Sequence, residues 1–315
     1  MPTEVKSPEL RHISVEAISK NPENPRLVFR PGELEELLES IRRYGVQVPI
    51  TVYHEKGKYV LIDGERRWRC CLKLNRSTIP ALVQEKPDDL TNLLLMFNIH
   101  ALREQWDLLT IALKLPRVIS LLTARENKKP NERELAEFTG LSQGVIRRCK
   151  LLIELPDKYK RDILEELEKP KPAQKLTEDF FIEMERSLKT VQRAMPGILP
   201  DKDRTRQILI RKFRRGIIKS RVDFRMVSKI ARAKRVEVEE EKASAALRRL
   251  FTANEYSIEE AFADSVSEAY SERDLLTRVR ALLNRLNQLR KHEIDDEVRK
   301  WLRELRDRVS KLLGN

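Results

Sequence analysis

Tyr59-Val-Leu-Ile-Asp-Gly-Glu-Arg-Arg-Trp-Arg-Cys-Cys-Leu-Lys-Leu74 decides how the N-terminal part of the chain is read. An apolar strand runs through Asp63-Gly64 directly into a helix that opens with Arg66, Arg67 and Arg69. Gly64 lets the backbone turn tightly. The free N–H groups and positive dipole end of the helix then face whatever sits at the end of the strand. Three guanidinium groups beside that end offer forked donors to phosphate oxygens, so the stretch reads as an anion cradle. The competing reading of the same spacing is a basic helix face turned to solvent.

Outward from this stretch, Ile13 to Ile18 alternates enough for a short strand, and Asn21-Pro-Glu-Asn-Pro-Arg26 is a turn cluster that cannot join a helix. Leu34, Leu37, Leu38 and Ile41 mark one face of a helix that stops before Gly45. Val48 to Tyr53 and Lys58 to Ile62 read as strands around Glu55-Lys-Gly57, and Ile79 to Val83 as another. The spacing predicts a small α+β domain over residues 1–105.

Gly64-Glu-Arg-Arg-Trp-Arg-Cys70 resembles the Gly-Glu-Arg-Arg-aromatic-Arg-Ala box of ParB-type chromosome and plasmid partition proteins, where the box holds the triphosphate of CTP. Asn21-Pro-Glu-Asn-Pro-Arg26 is similar to the family's Asn-Pro-x-Gln-Pro-Arg segment. Gly45-Val-Gln-Val-Pro-Ile50 resembles its cytosine-reading stretch, with Gln47 one place early. Met96-Phe-Asn-Ile-His-Ala-Leu-Arg103 resembles the Glu-Asn-x-x-Arg box that holds Mg²⁺ and phosphate; Phe97 stands in place of the acid and Arg103 lies two residues late. The resemblance implies a ParB/sulfiredoxin-like fold. It also implies a CTP site made by Gly45, Gln47, Pro49, Gly64, Glu65, Arg66, Arg67, Arg69, Asn98 and Arg103, with Asn98 toward Mg²⁺. Sulfiredoxins of the same superfamily need a cysteine where Glu65 stands, which argues against thiol chemistry. Asp63 and Glu65 alone do not make the carboxylate cluster of a metal-dependent nuclease.

Residues 106–170 read as a second unit. Leu108 to Leu122 is an apolar helix with a kink or break expected at Pro116. Glu132 to Leu152 has the spacing of two helices meeting at a sharp angle: Ala136 small at the contact, Gly140 in the turn, Ser142 as cap, and Leu135, Leu141, Ile146 and Cys149 inward. Such a helix-turn-helix leaves Gln143, Gly144, Arg147, Arg148 and Lys150 outward, with Ser142, at the end that enters a major groove. Gln pairs with adenine and Arg with guanine, so the face can read duplex DNA. A plain packed helix pair is the alternative. The segment also resembles the ParB central motif through Leu151-Leu-Ile-Glu-Leu-Pro156.

Residues 201–235 carry 14 Lys and Arg against 3 Asp, and residues 237–272 carry 10 acids against 3 bases, in a chain of formal charge +13. Ile208, Leu209, Phe213, Ile217 and Ile218 are spaced for a buried stripe, leaving Arg206, Arg211, Arg214, Arg215 and Lys219 for a phosphate-binding face. Compensation of that face by the acidic segment is the other possibility. We therefore expect a basic helical region over 171–236 and a helical association region over 237–315. The latter bears a heptad-like run from Leu275 to Leu312 that suits either a homodimer or packing on its own chain.

No apolar run reaches the roughly 18 residues of a membrane span, and the N-terminus lacks a signal peptide's order. Cys70, Cys71 and Cys149 form no metal spacing and fit reduced thiols, one of the adjacent pair turned inward. A cytoplasmic, nucleoid- or plasmid-associated protein is expected. The family resemblance implies a CTP-gated clamp on DNA that acts in partition, reopens on weak CTP hydrolysis, and works with a partition ATPase. A ParB-fold nuclease or phosphotransferase, and a nucleotide-independent transcription regulator, are the alternatives.

Overall fold

The computed structural model describes residues 8–24, 31–101, 106–289 and 294–314. Its N-terminal part is a mixed sheet of β1 (Glu9–Ser14), β2 (Ile18–Ser19), β3 (Ile50–Glu55), β4 (Lys58–Asp63) and β5 (Thr78–Gln84), in the order β1-β5-β3-β4-β2. The β1–β5 and β3–β4 pairs are antiparallel; β3–β5 and β2–β4 are parallel. Lys56 (φ 48°) and Gly57 (φ 79°) join β3 to β4, a two-residue turn whose positive φ values match the twist of the strands it connects. A parallel neighbour cannot be reached by so short a turn. The chain accordingly travels from β4 through α2 (Glu65–Lys73) before β5 lies down beside β3. The single strand expected over Ile13 to Ile18 is instead split between β1 and β2 by a 3-10 turn at Val15–Ala17.

The core of this domain includes Ile13, Val15, Ile50, Val52, Leu61, Trp68, Ile79 and Ala81. Each buried aliphatic side chain of this size contributes about 1.5–3 kcal/mol. Trp68 adds direction, because its indole N–H donates to the Val15 carbonyl at 3.0 Å. Cys70 and Cys71 are both buried, which corrects the expectation that only one turns inward. The helix α1 (Pro31–Tyr44) packs on α2, and Leu34 O lies 3.7 Å from Cys70 Sγ, so α2 is covered on more than the sheet side. Burial raises both thiol pKa values, away from reactivity.

The rest of the described chain is helical: α3 (Asp89–Met96), α4 (Leu108–Glu126), α5 (Glu132–Thr139), α6 (Gln143–Ile153), α7 (Asp157–Glu168), α8 (Glu178–Ala194), α9 (Lys202–Arg214), α10 (Phe224–Ile230), α11 (Glu240–Thr252), α12 (Ile258–Ala263), α13 (Ser267–Gln288) and α14 (Asp296–Leu313). α4 runs without a break through Pro116. The chain forms two compact units, residues 1–186 and 187–315. No helix of the described residues is long and apolar enough to cross a membrane.

In the second unit Ile208, Leu209 and Ile218 are buried as their spacing suggested. Arg206, expected on the exposed face, is 7% exposed and lies 4.0 Å from Asp203, because α9 is enclosed on more than one side. Lys212 is buried more deeply, at 2%, and its ammonium donates to Leu250 O and Tyr256 O, each at 2.6 Å. Among the described residues of α13 and α14 none is buried, and Leu275, Val279, Leu282, Trp301, Leu305 and Leu312 are exposed.

Candidate functional site

Gly64 sits at φ 97°, ψ 21°, in the left-handed region that an L side chain seldom adopts. A Cβ added there would lie 2.5 Å from Ile50 Cγ2, so the turn closes directly on the first residue of β3. The first bond of α2 in this turn is Trp68 N–H to Gly64 O at 3.0 Å. The N–H groups of Glu65, Arg66 and Arg67 precede it at the helix's positive end.

The arginines are engaged by the protein itself. Arg67 donates through Nη1 to Pro49 O at 2.6 Å and Val48 O at 2.5 Å, and through Nη2 to Asp63 Oδ2 at 2.7 Å. It thereby ties the loop holding Gly45, Gln47 and Pro49 to the Gly64 turn, bringing two groups of expected ligands together. Arg69 donates to Glu65 Oε1 through Nε at 2.8 Å and Nη2 at 2.6 Å, while Asn24 Nδ2 donates to Glu65 Oε2 at 2.5 Å. Asn21, from the same turn cluster as Asn24, reaches Asn92 of α3 at 3.1 Å. Arg66 is half-buried. Gly45 ends α1 at φ 72°, and exposed Gln47 donates to Tyr44 O.

Asn98 is exposed on the π-helical turn Phe97–Ala101 and donates to Leu94 O at 3.0 Å. Phe97 beside it is fully buried, edge-on to Trp106 with ring centroids 5.5 Å apart, and so serves the core. Arg103 lies outside the described residues. A hard divalent cation wants several oxygen ligands, anionic ones above all. A single amide with Glu65 already bound to Arg69 does not fit a protein-built Mg²⁺ site, and no group of three or more His, Cys, Asp or Glu among the described residues is placed to hold a metal. Asn24 and Asp63, absent from the expected ligand set, hold Glu65 and Arg67 in place. Asn24 pairs across 41 positions, a distance that local spacing does not reveal.

The helix pair α5–α6 is built by local rules. Asn131 and Glu134 form a reciprocal cap, Gly140 takes φ 71° in the turn, and Ser142 Oγ accepts Val145 N–H at 3.2 Å. Leu135, Leu141, Ile146 and Cys149 are all buried, and burial pushes the Cys149 thiol up to about 12. Ser142, Gln143, Gly144 and Arg147 are exposed. Arg147 Nε and Lys150 Nζ share the Glu132 carboxylate at 2.8 and 2.9 Å. Those pairs are exposed or half-exposed, and each is worth about 0–1 kcal/mol, so a phosphate or base edge displaces them readily. Arg148 pairs with Asp179 of α8, which marks it as a buttress of α6.

Next to that pair Glu178 accepts the Leu109 N–H at 2.5 Å, at the start of α4. Burial, reinforced by Asp107 and Asp179, raises its pKa to about 7. Between the ordinary carboxylate range and 7 the folded state holds a proton that the unfolded chain has lost. Stability of the first unit is therefore expected to fall as pH rises from about 4.5 to 7, by on the order of 3 kcal/mol. Glu178→Gln, followed by thermal melting across this range, should flatten that slope and raise the melting temperature at pH 7. An unchanged slope contradicts the assignment.

In the second unit, Arg211, Arg214 and Arg215 are exposed on α9 and at its end. Arg215 pairs with Glu255 at 2.6 Å and Lys219 with Glu259 at 2.7 Å, so acidic residues beyond position 237 partly compensate this basic segment.

The family model of the ParB N-terminal domain matches residues 1–99. The chain is 35% identical over 154 residues to a probable chromosome-partitioning protein ParB of Pseudomonas putida, covering 48% of this chain and 50% of that protein. It thus spans about half the length of that curated relative. A crystal structure of a C-terminally truncated Caulobacter crescentus ParB complexed with CTP-γ-S is 28% identical, covering 53% of this chain and 90% of that chain at a TM-score of 0.29. The structure of a pNOB8-like ParB N-domain shares the fold at 19% identity, covering 84% of this chain and 96% of that chain at a TM-score of 0.50.

Proposed function

We propose, from the match of residues 1–99 to the ParB N-terminal domain, that the chain is a site-specific DNA-binding protein of DNA segregation whose hold on DNA is governed by CTP. The observation that carries the reading is Arg67, which fastens the 45–49 loop to the Gly64 turn at the open end of α2. A nucleotide bridging that loop and that turn would place its phosphates at the N–H groups of residues 65–67. The Gly-Glu-Arg-Arg box of the family, together with what the Caulobacter relative was crystallised with, makes CTP the nucleotide of choice. Calorimetry with CTP, ATP, GTP and UTP tests this. CTP alone is expected to bind, and Arg66→Ala is expected to weaken it about tenfold or more, as loss of a charge-assisted contact does. Absence of CTP binding by the unmodified protein sinks the nucleotide half of the proposal.

DNA recognition falls to Gln143 and Arg147, with Ser142, Gly144 and Lys150 along the phosphates. Arg147→Ala is expected to cost about 1–3 kcal/mol on a selected site. Arg148→Ala should lower the melting temperature as well as affinity. Gel-shift titration beside thermal melting separates the two roles. The exposed stripe on α13 and α14 supports a homodimer, to be checked by sedimentation. A partition ATPase partner and a nucleoid or plasmid location follow from the same reading.

One observation favours a second reading, a DNA-binding regulator indifferent to nucleotide: Arg67 and Arg69 are already neutralised by Asp63 and Glu65. DNA affinity unchanged by saturating CTP would select it. The same pairs engage both carboxylates and disfavour a metal-dependent nuclease.

A further inference from the structure

We propose that the second unit carries an anion-binding cleft for a phosphate-bearing ligand, separate from both the Gly64 turn and the α5–α6 pair. A cavity of about 340 Å³ lies between the end of α8, the segment 231–235 and the start of α11. Its lining brings together Arg193, Arg232, Lys234 and Arg235, with Glu240 as the acid. Glu240 is taken by Lys234. Arg193, Arg232 and Arg235 have no carboxylate partner among the described residues. Elsewhere in this unit cations find acids: Arg215 meets Glu255, Lys219 meets Glu259, and Arg278 meets Asp274.

The three arginines come from segments about forty positions apart and line one concavity. Like charges gathered there repel unless an anion sits among them. Guanidinium is the group that recognises phosphate with paired, planar donors. Buried Met195 and Ala231 give the cavity an apolar floor, and its volume suits a ligand larger than a lone ion. The shared chemistry is phosphate, whether it belongs to a free pyrophosphate-bearing molecule or to the backbone of a duplex.

The experiment uses the full chain carrying Arg66→Ala, so that failure of the nucleotide proposal leaves this one readable. Pyrophosphate is titrated by calorimetry and a short non-specific duplex by fluorescence anisotropy at low salt. The comparison variants add Arg232→Ala with Arg235→Ala, the same two positions as Lys, or Arg193→Glu alone. The expected result is a loss of about tenfold or more on the Ala pair and on Arg193→Glu for at least one probe, with partial recovery on the Lys pair. Loss for pyrophosphate identifies a free phosphate ligand. Loss for the duplex alone, with the salt slope reduced by about one per contact removed, identifies backbone phosphate. Arg193→Glu lies on another element from the Ala pair, so a folding defect in one variant does not excuse the other. Equal affinity of parent and variants for both probes, or no binding of either probe by the parent, overturns the proposal.

Discussion

Gly64→Ala is expected to abolish nucleotide binding and to destabilise the first unit by about 3 kcal/mol or more. Two costs act together. A left-handed conformation costs an L residue roughly 1–2 kcal/mol, and the new Cβ would sit 2.5 Å from Ile50 Cγ2 and 2.9 Å from Ile50 Cβ, neither of them the end of a flexible side chain. Ile50 is fully buried at the start of β3, between β4 and β5, so it cannot step aside without opening the sheet. Overpacking of a well-filled core adds about 1–3 kcal/mol. Arg67 Nη2, 3.2 Å from the added carbon, would be pushed off Asp63, loosening the 45–49 loop. Thermal melting and CTP calorimetry on Gly64→Ala check both parts, and near-normal values in both would refute the account of the turn.

Lys212→Met is the second large effect, expected at about 3 kcal/mol in the second unit. Methionine fills a similar volume, but Leu250 O and Tyr256 O lose their donor, at about 1–3 kcal/mol for each buried acceptor left unpaired. Burial lowers the lysine pKa to about 8, only partly offset by Glu260 and Glu255. Between about 8 and 10.5 the unfolded chain keeps a proton that the folded unit has released. Stability of the native unit should therefore rise with pH across that window, and Lys212→Met should remove the rise. Denaturant titration followed by a spectroscopic probe of the second unit at pH 7, 8, 9 and 10 provides the measurement. A variant as stable as the parent, or a native profile flat above pH 8, refutes the role assigned to this lysine.

Features legible from the chain are those set by neighbours within a few positions. Gly64 between Asp63 and Glu65, and Gly140 before the cap Ser142, each announce a turn or a cap, and each forms where its spacing put it. The mixed sheet followed by helices was legible for the same reason, since period-two runs and helical stripes are short-range signals. Less legible were side chains whose partners lie far along the chain. Phe97 stood where an acid was sought, and its place against Trp106 is a matter of core packing. Arg206 was expected on the exposed face of its helix, yet it is buried.

Turns, caps and strand alternation were thus determined by the sequence alone, because steric limits on φ and ψ and the periodicity of helix and strand act over a handful of residues. Tertiary structure alone decided which charges were committed within the chain. Arg67 could face a phosphate or the Pro49 carbonyl, and Lys212 could face water or the carbonyls 38 and 44 positions ahead. The physical reason is that removing a charge from water is costly unless a partner is held in place, and those partners arrive only when distant segments pack together.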